Sequence, residues 1–157
     1  MIWLDLQNLA VSKPGIWKGV FNMDKQAAID LIKDAGFGFL ATAEGNQPRV
    51  RAVAPYLTEE NTLLLALFSN RRSIAQIQKN PQVEICFVDR TMAYCRVSGK
   101  AKVTSDKPKR ELVWEQMPML RQYFSGPEDQ NMVLIEITIS EAEAMTQNDR
   151  TPQKVDF

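Results

Sequence analysis

Six apolar stretches, most of them alternating and one continuous, constrain the fold of this 157-residue chain more than any other feature, and mostly short turns separate them. They cover residues 37–43, 48–57, 62–68, 83–87, 97–103 and 133–139. A period of two indicates β-strands, and parallel strands would need long crossover connections between them. The short turns therefore favour a mainly β (α+β) fold, in which six antiparallel strands form a closed or nearly closed barrel with peripheral helices.

Three helices are predicted where the period changes or a capping residue appears. The first covers residues 24–35 and ends at Gly36, which can take the left-handed conformation. The second covers residues 71–79. The third begins near Asp106 and is interrupted at Pro118, because proline cannot continue a helix from its interior. These helices are expected to pack outside the barrel.

The chain is expected to contain one domain, over residues 23–145. Residues 1–22 are predicted to form an N-terminal arm. This arm is so apolar that we expect it to dock on its own barrel or on a partner subunit. Residues 146–157 are polar and are predicted to form a loose C-terminal tail.

Composition excludes several classes of function. The 19 basic and 19 acidic residues balance, which gives no general attraction to nucleic acid or to an anionic membrane. Histidine is absent, which excludes a Ser-His-Asp triad and a histidine zinc site, and two cysteines are too few for a four-cysteine zinc site. We therefore expect no metal. The chain lacks an apolar run of about 20 residues and a basic leader, so a cytoplasmic protein is predicted.

Positive charge is concentrated in two stretches that a barrel would bring together. The arginines are Arg49 and Arg51 in the second strand, and Arg71 and Arg72 where the second helix begins, between Ser69 and Ser73. A helix start presents free N–H groups and the positive end of the helix dipole, so cations there favour a bound anion. Taken alone, Arg49 and Arg51 are better explained as the solvated face of an edge strand. Together, the two stretches predict a phosphate site.

Five motifs follow one another along residues 23–145. They are Phe39-Leu40-Ala41-Thr42, Gln47-Pro48-Arg49-Val50-Arg51-Ala52-Val53, Phe68-Ser69-Asn70-Arg71-Arg72-Ser73, Gln76-Ile77-Gln78-Lys79-Asn80-Pro81 and Val97-Ser98-Gly99-Lys100-Ala101. In order and spacing they resemble the pyridoxamine-phosphate-oxidase-like, FMN-binding split-barrel family, and particularly its short general-stress-type members. The resemblance implies a six-stranded antiparallel split β-barrel that binds FMN at the interface of a homodimer.

The resemblance also implies roles for individual residues. Arg51 matches the strand arginine that reaches the FMN phosphate, and Ala52 and Val53 match the backbone beside the flavin ring. Ser69 and Arg72 fall at or beside further phosphate ligands. The full set of candidate cofactor-binding residues is Arg51, Ala52, Val53, Phe68, Ser69, Arg71, Arg72, Ser73, Gln76 and Trp114. Trp114 could stack on a flavin, although an aromatic residue at helical spacing more often belongs to a core or an interface.

The function implied is that of an FMN-dependent oxidoreductase acting on an unknown small molecule, with a small-molecule electron donor or acceptor. The sequence identifies no catalytic residue. Two alternatives stay open: a non-enzymatic module that binds or stores a flavin or another phosphorylated ligand, and a cofactor-free oligomeric scaffold.

Three departures separate the chain from the true oxidase. Ser73 stands where family members often have lysine, and Tyr56 stands where the oxidase has a basic residue. The basic C-terminal substrate motif, with its arginines and histidine, is missing. We therefore expect no oxidation of pyridoxamine phosphate.

Overall fold

A computed structural model describes residues 23–157 of the chain, so the predicted arm over residues 1–22 lies outside the described residues. The elements are α1 (Lys25–Ala35), β1 (Gly38–Glu44), β2 (Gln47–Val53), β3 (Tyr56–Leu57), β4 (Thr62–Phe68), α2 (Arg72–Lys79), β5 (Gln82–Val88), β6 (Tyr94–Thr104), α3 (Lys107–Gln116), a 3-10 helix (Pro118–Gln122), β7 (Met132–Met145) and β8 (Gln153–Val155).

All eight strands belong to one antiparallel sheet whose two ends are joined by only two residues. The strand order is β2-β1-β5-β6-β7-β4-β3, and β8 pairs with β7. β2 and β3 therefore lie at opposite ends of the order, yet only Ala54 and Pro55 separate them in sequence. Three Cα–Cα steps span at most about 11 Å. The sheet has to curl until its ends meet, which makes the predicted split barrel, with the split between β2 and the β3–β4 pair.

The structure has more strands than the six predicted. Pro55 interrupts the predicted second strand, because proline offers no N–H to a ladder, and the stretch divides into β2 and β3. The tail was predicted to be loose, and this is wrong for Gln153–Val155, which pairs with β7. Only Val155 of this three-residue strand is buried, so its sequence carries too little alternation to be recognised.

β4 is buried on both faces, as its continuous apolar run indicates. Leu63 and Leu65 pack in the main core, together with Ala28 of α1. Leu64 points the other way, into a second cluster with Val113 of α3 and with Leu120, Phe124, Met132 and Leu134. The second cluster holds α3 and the 3-10 helix against the outside of β4, beside the split.

The helices agree with their predicted boundaries. The Asp24 carboxylate accepts a hydrogen bond from the Ala27 N–H at 2.8 Å, and Gly36 ends α1 with a φ of 68°. α3 ends before Pro118, where the chain continues as the 3-10 helix. Within residues 23–157, no helix is long and apolar enough to cross a membrane.

Candidate functional site

A cavity of about 720 Å³ lies at the split of the barrel, and we call it the split cavity. Four segments line it: residues 51–54 at the end of β2, 65–68 at the end of β4, 70–73 where α2 begins, and Met117, Met119, Leu120, Tyr123 and Phe124 around the 3-10 helix. The two basic stretches of the sequence thus meet at one cavity, as predicted.

The walls of the split cavity differ in polarity. Arg51, Arg71 and Arg72 give the wall formed by β2 and the start of α2 its positive charge, and Asn70 and Ser73 add polar side chains. The wall formed by the end of β4 and the 3-10 helix is apolar apart from the Tyr123 hydroxyl. An elongated ligand with an anionic group at one end and an apolar body fits this division.

Arg51 is held in place by neutral groups alone. Its Nη1 donates to Thr42 Oγ1 at 2.7 Å and to the Leu40 carbonyl at 3.3 Å, and its Nη2 donates to Gln76 Oε1 at 2.9 Å. The Thr42 hydroxyl in turn donates to Gln76 Oε1 at 2.7 Å. Burial lowers the pKa of Arg51, and the nearby charge of Arg49 lowers it further. A half-buried positive charge therefore faces the cavity without compensation.

The tight turn between β1 and β2 places these groups on one face. Gly45 has a φ of 62°, and the turn pairs Glu44 with Gln47, and Leu40 with Arg51. Because side chains alternate between faces along a strand, the even-numbered residues of β1 share a face with the odd-numbered residues of β2. Thr42 therefore lies on the same face as Arg51.

Arg72 is held differently, by a carboxylate. Its Nη2 donates to both Glu44 oxygens, at 2.8 and 2.6 Å, and Arg49 Nε donates to Glu44 Oε2 at 3.0 Å. Hydrogen bonds from Arg72 and then Arg49 lower the pKa of Glu44 to about 2, and the pair raises the pKa of Arg72. Arg72 lines the split cavity, whereas Glu44 lies outside its lining. The charge of Arg72 is thus compensated in part within the protein, by a carboxylate that Arg72 shares with Arg49.

The start of α2 completes the polar wall. Arg71 occupies the N-cap position without a side-chain hydrogen bond to the first turn, and its guanidinium lies 5.7 Å from the centre of the Phe68 ring. Ser73, in the first turn of α2, is buried and lines the cavity. The positive end of the helix dipole therefore points to the same region as the arginines.

The structure brings seven of the ten predicted site residues to the cavity wall, namely Arg51, Ala52, Val53, Phe68, Arg71, Arg72 and Ser73. Ser69, Gln76 and Trp114 are not part of the lining. The Ser69 N–H donates to the Asn131 carbonyl at 2.8 Å, and the Gln76 side chain accepts a hydrogen bond from Arg51 Nη2 at 2.9 Å. Trp114 packs against the second cluster, and its ring lies 5.8 Å from the Arg121 guanidinium.

Sequence reasoning missed Thr42, Glu44, Met119 and Tyr123. The signal for the first two was present in the hairpin: a two-residue turn fixes the register, and the register puts Thr42 and Glu44 on the arginine face. Met119 and Tyr123 follow Pro118, and no apolar period marks which of their neighbours faces a cavity.

Known proteins match nearly the whole described chain. Residues 24–146 match the family model described as Pyridoxamine 5'-phosphate oxidase. General stress protein 26 of Bacillus subtilis (strain 168) is 26% identical over 140 residues, which cover 85% of this chain and 96% of that protein.

Solved structures share the fold. A NimC/NimA family protein from Clostridium acetobutylicum has a TM-score of 0.72 and 25% identity, and the match covers 82% of this chain and 89% of that one. A pyridoxamine 5'-phosphate oxidase-related, FMN binding protein from Nostoc punctiforme PCC 73102 has a TM-score of 0.67 and 18% identity, covering 83% and 87%.

Proposed function

Because the chain belongs to the pyridoxamine 5'-phosphate oxidase family, as its motifs predicted, we propose that the split cavity binds FMN through its phosphate and that the protein is an FMN-dependent oxidoreductase. Its substrate is a small molecule. The structurally similar Nostoc protein is described as FMN binding, which supports the choice of flavin.

The observation that carries this proposal is the environment of Arg51. All three of its acceptors are neutral, and burial already disfavours its charged form. A partly desolvated guanidinium is stabilised most by an anion that accepts charge-assisted hydrogen bonds. A phosphate placed between Arg51 and the start of α2 meets this requirement and also uses the dipole of the helix.

The apolar part of the cavity suits the flavin ring. Ala52 and Val53 continue from Arg51 along one wall, and Phe68 and Tyr123 supply aromatic surface on the other side. When bound, FMN would supply the hydride or electron transfer. The residues of the chain bind its phosphate, orient its ring and exclude water from it. We assign no catalytic residue.

An exposed apolar face supports the homodimer that we propose as the functional unit. Phe37, Phe39 and Val50 are 50%, 43% and 64% exposed, and the first two rings contact edge to face. Phe39 lies opposite Ala52 in the β1–β2 ladder, and Ala52 lines the split cavity. The apolar face thus continues into the cavity wall, so that a second copy covering the face would also close the site.

The colour of the purified protein tests the flavin proposal. We expect yellow protein with flavin absorbance, or absorbance gained after incubation with FMN and removal of the excess. Bleaching by NADPH without oxygen, and return of the colour with an acceptor, would support the oxidoreductase. Stable colour with no reaction towards any donor would favour a non-enzymatic binding or storage module. Protein that takes up no flavin would favour the cofactor-free scaffold.

Light scattering tests the dimer. We expect twice the chain mass of 17.8 kDa at micromolar concentration. Val50→Asp should give a monomer that has lost most FMN affinity, since Val50 lies on the apolar face but outside the cavity lining. Val103→Asp is the matched control, because Val103 is also an exposed strand valine and should leave the dimer intact. A wild-type monomer would contradict the shared site.

A further inference from the structure

We propose that Glu44 sets the phosphate affinity of the split cavity by holding the Arg72 guanidinium, so that a bound phosphate has to compete with a carboxylate of the chain itself. The inference rests on the proposed phosphate site and adds a residue that opposes binding. Glu44 would then allow the flavin to dissociate more readily. A cavity with three unpaired arginines would bind the flavin more tightly.

The contacts of Glu44 carry the argument. It is the last residue of β1, and both of its oxygens accept hydrogen bonds from Arg72 Nη2, at 2.8 and 2.6 Å. Arg49 adds a third hydrogen bond, at 3.0 Å. The Arg72 side chain is 70% exposed and reaches from the cavity wall to a carboxylate outside that wall. The ion pair therefore holds the Arg72 guanidinium towards Glu44, and the negative charge of Glu44 weakens the attraction of Arg72 for an anion in the cavity.

The other two arginines of the cavity show what is special about this pair. Within residues 23–157, neither Arg51 nor Arg71 takes part in an ion pair. No carboxylate of the described residues therefore compensates either charge, although the Arg71 guanidinium lies 5.7 Å from the centre of the Phe68 ring. Of the three, only Arg72 is already paired with a carboxylate, which it shares with Arg49. A phosphate at the start of α2 must either displace Glu44 or accept its repulsion.

Glu44→Gln tests the proposal in the holo-protein. This change keeps the side-chain shape and removes the charge. We expect FMN to bind roughly two- to fivefold more tightly, the effect of losing one exposed ion pair that competes. Riboflavin, which has no phosphate, should bind as it does to the wild type. Glu59→Gln is the matched control, because Glu59 is an exposed turn glutamate outside the cavity lining.

A double-mutant cycle shows whether Glu44 acts through Arg72 or by direct repulsion of the phosphate. In an Arg72→Ala background, Glu44→Gln should change FMN affinity by less than half as much. An undiminished effect there would overturn the proposal, since Glu44 would then act directly on the ligand. Weaker FMN binding in the Glu44→Gln single variant would also overturn it, because Glu44 would then position Arg72 for the phosphate.

Inorganic phosphate provides a readout that does not depend on flavin. Added to apo-protein, it should shift the Arg72 side-chain NMR signal at a lower concentration in Glu44→Gln than in the wild type. If no variant binds FMN but phosphate still binds Glu44→Gln at a lower concentration than the wild type, the flavin proposal fails and the role of Glu44 stands. If phosphate binds both proteins equally or neither, the role of Glu44 is overturned.

Discussion

Two arginines of the same cavity are held in opposite ways. Arg51 projects from a strand and is fixed by Thr42, Gln76 and a backbone carbonyl, all neutral. Arg72 projects from the first turn of a helix and is fixed by the Glu44 carboxylate. Both lie in the cavity wall and both were predicted to bind phosphate. A basic cluster in a sequence therefore gives the number of positive charges near a site. The hydrogen-bond and ion-pair partners of each arginine decide how many of those charges can act on a ligand.

The two arginines also differ in how firmly their side chains are held before a ligand binds. Arg51 reaches its position through hydrogen bonds within the protein, so little side-chain entropy is lost when it binds an anion. Arg72 has most of its side chain in solvent and has to exchange one partner for another. We therefore expect Arg51 to contribute much more to FMN affinity than Arg72.

The largest effect is expected from Arg51→Ala. Losing charge-assisted hydrogen bonds to a partly buried phosphate should cost about 1.5–3 kcal/mol, or roughly ten- to hundredfold in FMN affinity. Fluorescence titration of apo-protein with FMN measures it. Arg90→Ala, which removes an exposed arginine outside the cavity lining, should have no effect. An equal loss of riboflavin binding in Arg51→Ala would show misfolding rather than a lost phosphate contact.

Gln76→Glu should make Arg51 resemble Arg72. A carboxylate would replace the amide oxygen that now lies 2.9 Å from Arg51 Nη2, and it would compensate the charge that the ligand needs. We expect FMN affinity to fall on the order of tenfold, with riboflavin unaffected. Gln78→Glu, an exposed position on the same helix, supplies the control. Unchanged FMN affinity would mean that compensation does not matter, and the comparison would lose its physical basis.

A smaller effect is expected from Arg72→Ala. The free protein loses an ion pair together with the ligand contact, so FMN affinity should fall by only about two- to fivefold. The same titration measures it beside Arg51→Ala. A loss as large as that of Arg51→Ala would show that Glu44 releases Arg72 at no cost.

Acid unfolding gives the smallest expected effect. The pKa of Glu44 is about 2 in the folded protein and 4.5 in its ordinary state, so its ion pairs stabilise the fold above about pH 5. That contribution is lost as the pH falls from 4.5 towards 2. The free energy of unfolding from urea titrations should therefore fall more steeply over this range in the wild type than in Glu44→Gln. Parallel curves would mean that the pair does not persist in solution.

Much of the barrel could be predicted from local patterns. The alternation along β5, β6 and β7 gave strands, and the capping residues of α1 gave its ends, because such signals depend on near neighbours. β8 depends on pairing with a distant strand and was not visible. The break at Pro55 had a local signal, the missing N–H of proline, which the predicted second strand did not take into account. The apolar alternation over residues 133–139 marks the first half of β7. Its second half alternates glutamate with the buried Ala142 and Ala144, and it pairs with β6 and β8.

The site was predictable in its charges and not in its contacts. The anion argument named four arginines. Arg51, Arg71 and Arg72 line the cavity, whereas Arg49 lies outside the lining and donates to Glu44. The resemblance made Gln76 a candidate contact of the cofactor. Gln76 lies outside the cavity lining and accepts hydrogen bonds from Arg51 and Thr42. Trp114 was grouped with the site by residue type alone. Its position depends on how α3 packs against β4, which no local pattern encodes.

The link through Ala54 and Pro55 has a consequence for when the cavity can exist during folding. This link keeps the β1–β2 hairpin near the β3–β4 hairpin from the start of folding. The relative orientation of the two hairpins depends on β1 pairing with β5 and on β4 pairing with β7, which ends at Met145. The cavity is therefore completed only when nearly the whole described chain has been synthesised and paired. A ligand that binds there binds the native state alone, and at 100 times its Kd it would add about 2.7 kcal/mol to the free energy of unfolding. Supply of the proposed FMN would thus raise the fraction of the protein that is folded at equilibrium.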